Sequence, residues 1–260
     1  MNFDNLLIER DDGVATVTIN RPQARNALNT PTLTELKNAF RELAADRSTH
    51  VVILRGAGDV AFCAGADLKE VATLSDLPAR REYFGAIAEL LEIIHRMPQP
   101  VIARVAGFAL AGGMGLAVGC DFVIAADNAE FGLPEITLGL FPMVVMAPIL
   151  RLAGPRAAVE LALGGERINA RRAHELGLVT HVVPISQLDS EVRRLARRLK
   201  GFSPLVLALG KQAIYGSAAM DYSGALAYLR EMVTLVASSE DLAEGVNAFL
   251  NKRAPEFKGR

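Results

Sequence analysis

Between Arg104 and Asp121 runs a stretch of 16 residues, Val105–Cys120, with no charged side chain and five glycines. It falls short of the roughly 20 apolar residues that span a bilayer, and its glycines disfavour one long helix. It therefore reads as a segment buried inside protein, and the fold has to be built around it. Val101–Val105 and Phe122–Ala126, at its two ends, are short apolar runs of the kind that form buried strands, and Gly112–Val118 between them is long enough for two helical turns. Strand, helix, strand in that order predicts parallel pairing through a right-handed crossover.

The flanking sequence extends the alternation. Leu6–Arg10 and Val14–Asn20, separated by Asp11-Asp12-Gly13, predict an antiparallel hairpin. Thr30 reads as a helix cap with Pro31 at the first position, and Leu33, Leu36, Phe40 and Leu43 follow at helical spacing. His50–Arg55 reads as a strand emptying into a glycine-bearing loop, residues 56–65. Ile87, Leu90, Leu91 and Ile94 mark an amphipathic helix stopped by Pro98 and Pro100. A helix at Pro155–Leu163 and a strand at Val179–Val183 come next, and then only helices: Gln187–Lys200, Pro204–Tyr215, Gly224–Ala237 and Asp241–Lys252. The expected fold class is α/β, with a core domain over 1–200 and an all-helical part over 201–260.

Charge and composition narrow the function. The 28 Lys and Arg against 29 Asp and Glu give a net charge of −1, which offers no general pull on nucleic acid or an anionic membrane. Cys63 and Cys120 stand far apart, so neither a disulfide framework nor a thiolate zinc site is expected, and a reducing cytoplasm is the expected location. The start, MNFDNLLIERDDG, lacks the basic-then-apolar layout of a secretion signal. Gly56–Ala61 matches GxGxxA after a strand, with Asp76 at the distance of a ribose-binding acid, but Ala61–Gly65 opens no helix and Asp76 sits in a helix-start sequence, so dinucleotide binding is rejected. His50, His95, His174 and His181 lack the spacing of helical metal ligands. The basic cluster Arg193, Arg194, Arg197, Arg198 and Lys200 alternates with Leu195 and Leu199, which makes it the solvated face of an amphipathic helix.

Three glycine-marked turns remain: Phe62–Lys69, Gly107–Gly113 and Phe131–Glu135. In the first two, small residues lead into a helix start, where backbone N–H groups point outward, and two such groups facing one another make an oxyanion hole. The same glycines serve equally well for tight turns and close helix packing. Glu135 is the only acid between Glu130 and Arg151. In apolar surroundings its pKa would rise toward the range useful for proton transfer, whereas at an exposed helix start it would only answer the dipole.

The ordered segments RPQARNALN, FCAGADLKE, PVIARVAGFALAGG, CDFVIAADNAEFGLPEITLGLFP, GERINARRAHELGLVTHVV and NAFLNKRAPEFKGR resemble the enoyl-CoA hydratase/isomerase (crotonase) family over nearly the whole chain. The resemblance implies a spiral of ββα units with C-terminal helices used in a homotrimer or a dimer of trimers. It implies an acyl-CoA thioester as substrate, the substrate itself carrying coenzyme A, with no tightly bound cofactor and no metal. By position it assigns oxyanion donors to Ala66 and Gly112 and the proton-moving acid to Glu135. It places Ala64, Ala66, Asp67, Leu68 and Lys69 along the CoA channel, Gln23 and Ala24 near the pantetheine and nucleotide, Phe141 at the acyl pocket, and Lys252 as a phosphate contact from this subunit or a neighbour.

One departure stands out. Family hydratases carry a second glutamate three residues after the oxyanion glycine, where this chain has Gly115. A single acid at these positions resembles the isomerases of the family, and the apolar run Leu140–Met146 suits an acyl chain and excludes water. Double-bond isomerisation is therefore expected somewhat ahead of hydration, with enoyl-CoA hydratase activity the alternative. A catalytically weak acyl-CoA-binding subunit is the reading from another class.

Overall fold

A computed structural model of the chain describes residues 3–260. It opens with the expected hairpin: β1 (Leu6–Asp11) pairs antiparallel with β2 (Val14–Ile19). Asp12 and Gly13 both have positive φ, 45° and 77°, the combination that matches a tight turn to strand twist. Helix α1 (Thr30–Ala45) crosses to β3 (Val51–Gly56). Its cap is Asn29, whose side chain accepts from Thr32 N, and not Thr30 as the sequence suggested; Thr30 is already the first helical residue. The predicted stripe of Leu33, Leu36, Phe40 and Leu43 is fully buried.

From β3 onward a unit repeats. A long strand is followed by a three-residue strand and then by helix. β3 leads to β4 (Ala61–Cys63), then α2 (Leu68–Val71) and α3 (Leu77–Arg96). β5 (Val101–Val105) leads to β6 (Phe108–Leu110) and α4 (Gly112–Val118). β7 (Phe122–Ala126) leads to β8 (Glu130–Gly132), a 310 turn at Pro134–Leu138 and α5 (Met146–Gly164). This is the ββα succession that the resemblance implies. Helix α5 starts nine residues earlier than expected and is broken at Gly154 (φ 75°, ψ 173°), so that the expected helix at Pro155 is its second half.

The long strands form one sheet in the order β1-β2-β3-β5-β7-β10, with β10 at His181–Val183 and every pairing after the first parallel. Both faces are covered, which is why its central strands read as continuous apolar runs. On one face Val52 and Leu54 join α1, α3 and α4 residues such as Phe40, Leu90 and Leu116. On the other, Val51, Ile53, Ile102 and Ile124 meet Leu188, Val192, Leu195, Ala196 and Leu199 of α7 (Leu188–Lys200). Arg193, Arg194, Arg197 and Arg198 point to solvent, as the amphipathic pattern required.

The short strands form a second sheet, β4-β6-β8-β9, with β9 at Arg167–Asn169 and α6 (Ala170–Glu175) after it. This sheet is not expected from the sequence, in which residues 56–65 read as a glycine-bearing loop and β6, β8 and β9 carry no strand pattern. Gly56, read above as half of a false dinucleotide motif, is where β4 passes: an added Cβ there would meet the Phe62 carbonyl oxygen at 2.3 Å.

The helices α8 (Pro204–Ser217), α9 (Tyr222–Ala237) and α10 (Glu240–Leu250) follow. Lys211 and Tyr215 tie α8 to Asp121 at 2.8 and 2.7 Å. The C-terminal segment folds back, with Lys258 N and Gly259 N donating to the buried Asp241 carboxylate. No helix among the described residues is long and apolar enough to cross a membrane.

Candidate active site

The strands β4, β6 and β8 are neighbours and run parallel, so their C-terminal ends lie side by side. Each empties into one of the three glycine-marked turns: β4 into Ala64-Gly65-Ala66, β6 into Ala111-Gly112, and β8 into Leu133-Pro134-Glu135. Turns far apart in sequence converge on one cavity of about 760 Å3, a size suited to a small-molecule site.

The first two turns are in contact through missing side chains. Gly65 has φ +92°, and a Cβ there would stand 2.6 Å from the Ala111 Cβ and 3.0 Å from the Gly112 nitrogen. A Cβ on Gly112 would lie 3.8 Å from the Ala66 nitrogen. Gly113 presses α4 onto β4, since a Cβ there would come within 2.1 Å of the Cys63 carbonyl oxygen. Gly112 opens α4, so its N–H has no acceptor one turn back. Neither that N–H nor the Ala66 N–H donates to an acceptor among the described residues. Two free donors thus stand together at the wall of an apolar cavity, the arrangement that stabilises a carbonyl oxygen as it gains charge.

The Ala66 turn is held from behind. Leu28 N donates to Gly65 O at 2.8 Å and Asp67 N to Leu28 O at 2.9 Å. The Tyr83 hydroxyl on α3 also lies within 3.2 Å of Asp67 N and donates to Leu28 O. Arg21 Nη2 pairs with Asp67 Oδ2 at 2.9 Å. Burial works to raise the Asp67 carboxyl, and the Arg21 hydrogen bond and charge outweigh it, so the group sits below the usual range. Asp67 also caps α2 by accepting from Lys69 N, and Glu70 accepts from Thr30 N at 2.8 Å. Both carboxylates near the Ala66 turn are therefore committed.

Glu135 is different. Pro134 starts its 310 turn and Gly139 closes it with left-handed φ of 73°. The side chain is 8% exposed, and Oε2 is buried with no hydrogen-bond partner among the described residues. Burial pushes its pKa above the ordinary 4.5, opposed only by its own backbone N–H. Of the two sequence readings, the apolar environment is the one found. Glu135 lines the same cavity as Ala66 and Gly112.

Of the other residues singled out from the sequence, Gln23, Ala24, Ala64, Asp67, Leu68, Lys69 and Phe141 also line this cavity. Lys252 does not; it follows α10, exposed, with φ +52°. Gly115 is buried and faces away from open space, because Val145 lies on it. The sequence reading missed Arg21, Tyr83 and Ala111. Ala111 bears φ 53°, ψ −130°, unusual for a residue with a side chain. Only its place beside Gly112-Gly113 could have flagged it. No cluster of three or more His, Cys, Asp or Glu able to hold a metal ion occurs among the described residues.

A free-donor pair and a buried carboxylate lining one apolar cavity are together able to hold a carbonyl oxygen as it gains charge and to move a proton beside it. The chain belongs to the enoyl-CoA hydratase/isomerase family, whose sequence pattern matches residues 9–260. It is 39% identical over 259 residues to crotonyl-CoA hydratase of Syntrophomonas wolfei, covering 99% of each chain. It is 40% identical over 259 residues to 2,3-dehydroadipyl-CoA hydratase of Escherichia coli, covering 99% of this chain and 100% of that one. The crystal structure of enoyl-CoA hydratase from Bacillus anthracis superposes with a TM-score of 0.95 at 37% identity, covering 99% of this chain and 100% of that one. The protein is thus an enzyme of the hydratase/isomerase type, with acyl-CoA chemistry.

Proposed function

We propose that the protein hydrates the double bond of an enoyl-CoA thioester, with Glu135 as its one proton-moving group and the Ala66 and Gly112 N–H groups as donors to the thioester oxygen. The observation that carries this is Glu135 itself: a buried carboxylate with raised pKa, its Oε2 without a partner among the described residues, in the cavity that holds two free N–H donors. The hydratase names of relatives 39% and 40% identical over almost full length support hydration over the isomerisation that the sequence alone favoured.

One carboxylate suffices for the balance. As water oxygen bonds to Cβ, Glu135 takes a proton from that water and the π electrons move onto the thioester oxygen, where the two N–H groups hold the enolate. Glu135 then returns the proton to Cα as the carbonyl reforms. Residues Gln23, Ala24, Leu68 and Lys69 border the CoA end of the cavity in this reading, and Phe141 the acyl end. Lys252 reaches a phosphate only from a neighbouring subunit in an assembly of three or six, because in its own chain it lies off the cavity. The unit 1–200 carries the site and 201–260 the assembly contacts.

Isomerisation remains a second reading because Gly115 supplies no second acid to hold water. There Glu135 removes the Cα proton of a 3-enoyl thioester and returns it to Cγ, moving the double bond into conjugation. Paired assays on one 2-enoyl-CoA and one 3-enoyl-CoA decide between them. A higher kcat/KM for hydration supports the proposal; isomerisation without hydration overturns it in favour of the second reading. Tight thioester binding with neither reaction makes the chain a binding subunit.

A further inference from the structure

Gly115 lies three residues after Gly112 in α4, so the two share a face of the helix. The space above Gly115 is not empty. A Cβ there would stand 2.1 Å from Val145 Cγ1 and 2.4 Å from Val145 Cβ. Val145 is 3% exposed and still contributes to the cavity wall, next to Pro142, Met143 and Val144. It also stands just before α5, at the end of the segment carrying Glu135, and makes no side-chain cap there. Its side chain thus does no capping; it fills the notch that the glycine leaves and turns that side of the cavity into hydrocarbon.

We infer that Val145 is a specificity-determining residue: its packing on Gly115 keeps water off the flank of α4 one turn beyond the Gly112 donor, and so sets how the enzyme divides its substrates between hydration and double-bond migration. The inference rests on the acyl-CoA reading proposed above. Water needs a polar partner and room to be held. Val145 supplies neither, and Gly115 has no side chain to supply one. In the proposed hydration the attacking water meets Glu135 alone, and this flank of α4, a glycine covered by Val145, adds no second side-chain partner to hold it.

The test changes only this contact. Val145→Thr keeps the β-branched shape and adds one hydroxyl; Val145→Ala opens room without adding a polar atom. Hydration of a 2-enoyl-CoA and isomerisation of the matching 3-enoyl-CoA are measured for each variant and the wild type, after circular dichroism shows that the fold is kept. The ratio of hydration to isomerisation rises about five-fold in Val145→Thr, the worth of one ordinary net hydrogen bond, and by less in Val145→Ala. A ratio unchanged in both folded variants overturns the inference while leaving the proposed function standing. Absence of both reactions in the wild type overturns the proposed function and this inference with it. Should Val145→Thr fail to fold, Val145→Ala alone decides, an unchanged ratio again overturning the inference.

Discussion

The two sheets divide the labour of this molecule. The six-stranded sheet is made of strands of five or six residues, apart from β10, and its central members are buried on both faces. The four-stranded sheet is made of three-residue strands with a handful of backbone hydrogen bonds, yet every turn of the candidate site springs from it. Buried Val, Ile and Leu are worth about 1.5–3 kcal/mol each, so the larger sheet holds the stability. The smaller sheet contributes position: it fixes where a few backbone N–H groups and one carboxylate stand. Changes in the first are expected to show in melting, and changes in the second in turnover.

The sharpest separation comes from Glu135→Gln. The amide keeps the shape but accepts no proton, so deuterium washout at Cα and overall turnover fall a hundred-fold or more, the usual scale of a lost general base. Thioester binding holds and the fold is kept. Washout at the wild-type rate in this variant would remove Glu135 from the chemistry. The converse is Leu54→Ala in the larger sheet, where a fully buried side chain leaves a cavity. Unfolding in urea is expected to show a loss of about 2–5 kcal/mol, with kcat per folded molecule unchanged.

Gly113→Ala tests whether the two sheets are as separable as this. The added methyl collides with the Cys63 carbonyl behind the site, which costs about 1–3 kcal/mol of stability and also displaces the Gly112 donor. A melting loss with full kcat would show that the donors tolerate movement of β4 against α4. Tyr83→Phe removes one hydroxyl behind the Ala66 turn. A kcat about five-fold lower with KM unchanged, the scale of one hydrogen bond, marks Tyr83 as a positioning residue; equal changes in both constants would not.

The smallest effect is a pH signature. Because burial raises the Glu135 pKa in the folded state, the neutral acid favours folding below the ordinary value of 4.5, and that contribution is lost as pH rises through the folded value. Glu135→Gln has no such loss. Its melting temperature relative to wild type therefore climbs as pH is raised from below 4.5 and then levels off. A difference independent of pH would mean that Glu135 titrates normally.

What was legible in the sequence follows the same division. The long strands and the helices announce themselves through apolar runs and helical spacing, as with Val101–Val105 or Leu33, Leu36, Phe40 and Leu43. Strands of three residues carry no period to read, so Ala61–Cys63 and Phe108–Leu110 passed as loop. The site residues were found through glycine spacing and family resemblance. Their convergence came from strand order, which no local pattern encodes. Val145 escaped for a related reason: its partner is a glycine thirty residues away, and a contact with an absent side chain leaves no mark in either segment.

The close approaches at Gly65 and Gly113 leave the backs of the two donor turns no freedom to vary, since a Cβ would come within 2.6 and 2.1 Å of a neighbouring atom. The front wall is the reverse: Leu138, Leu140 and Met143 are exposed by 38% or more and press on little. Mutational drift in a lineage of such chains is therefore channelled to one side. Substitutions at Leu138, Leu140 and Met143 are expected to change which acyl groups are accepted, and a substrate library screened against such variants maps that one side chain at a time.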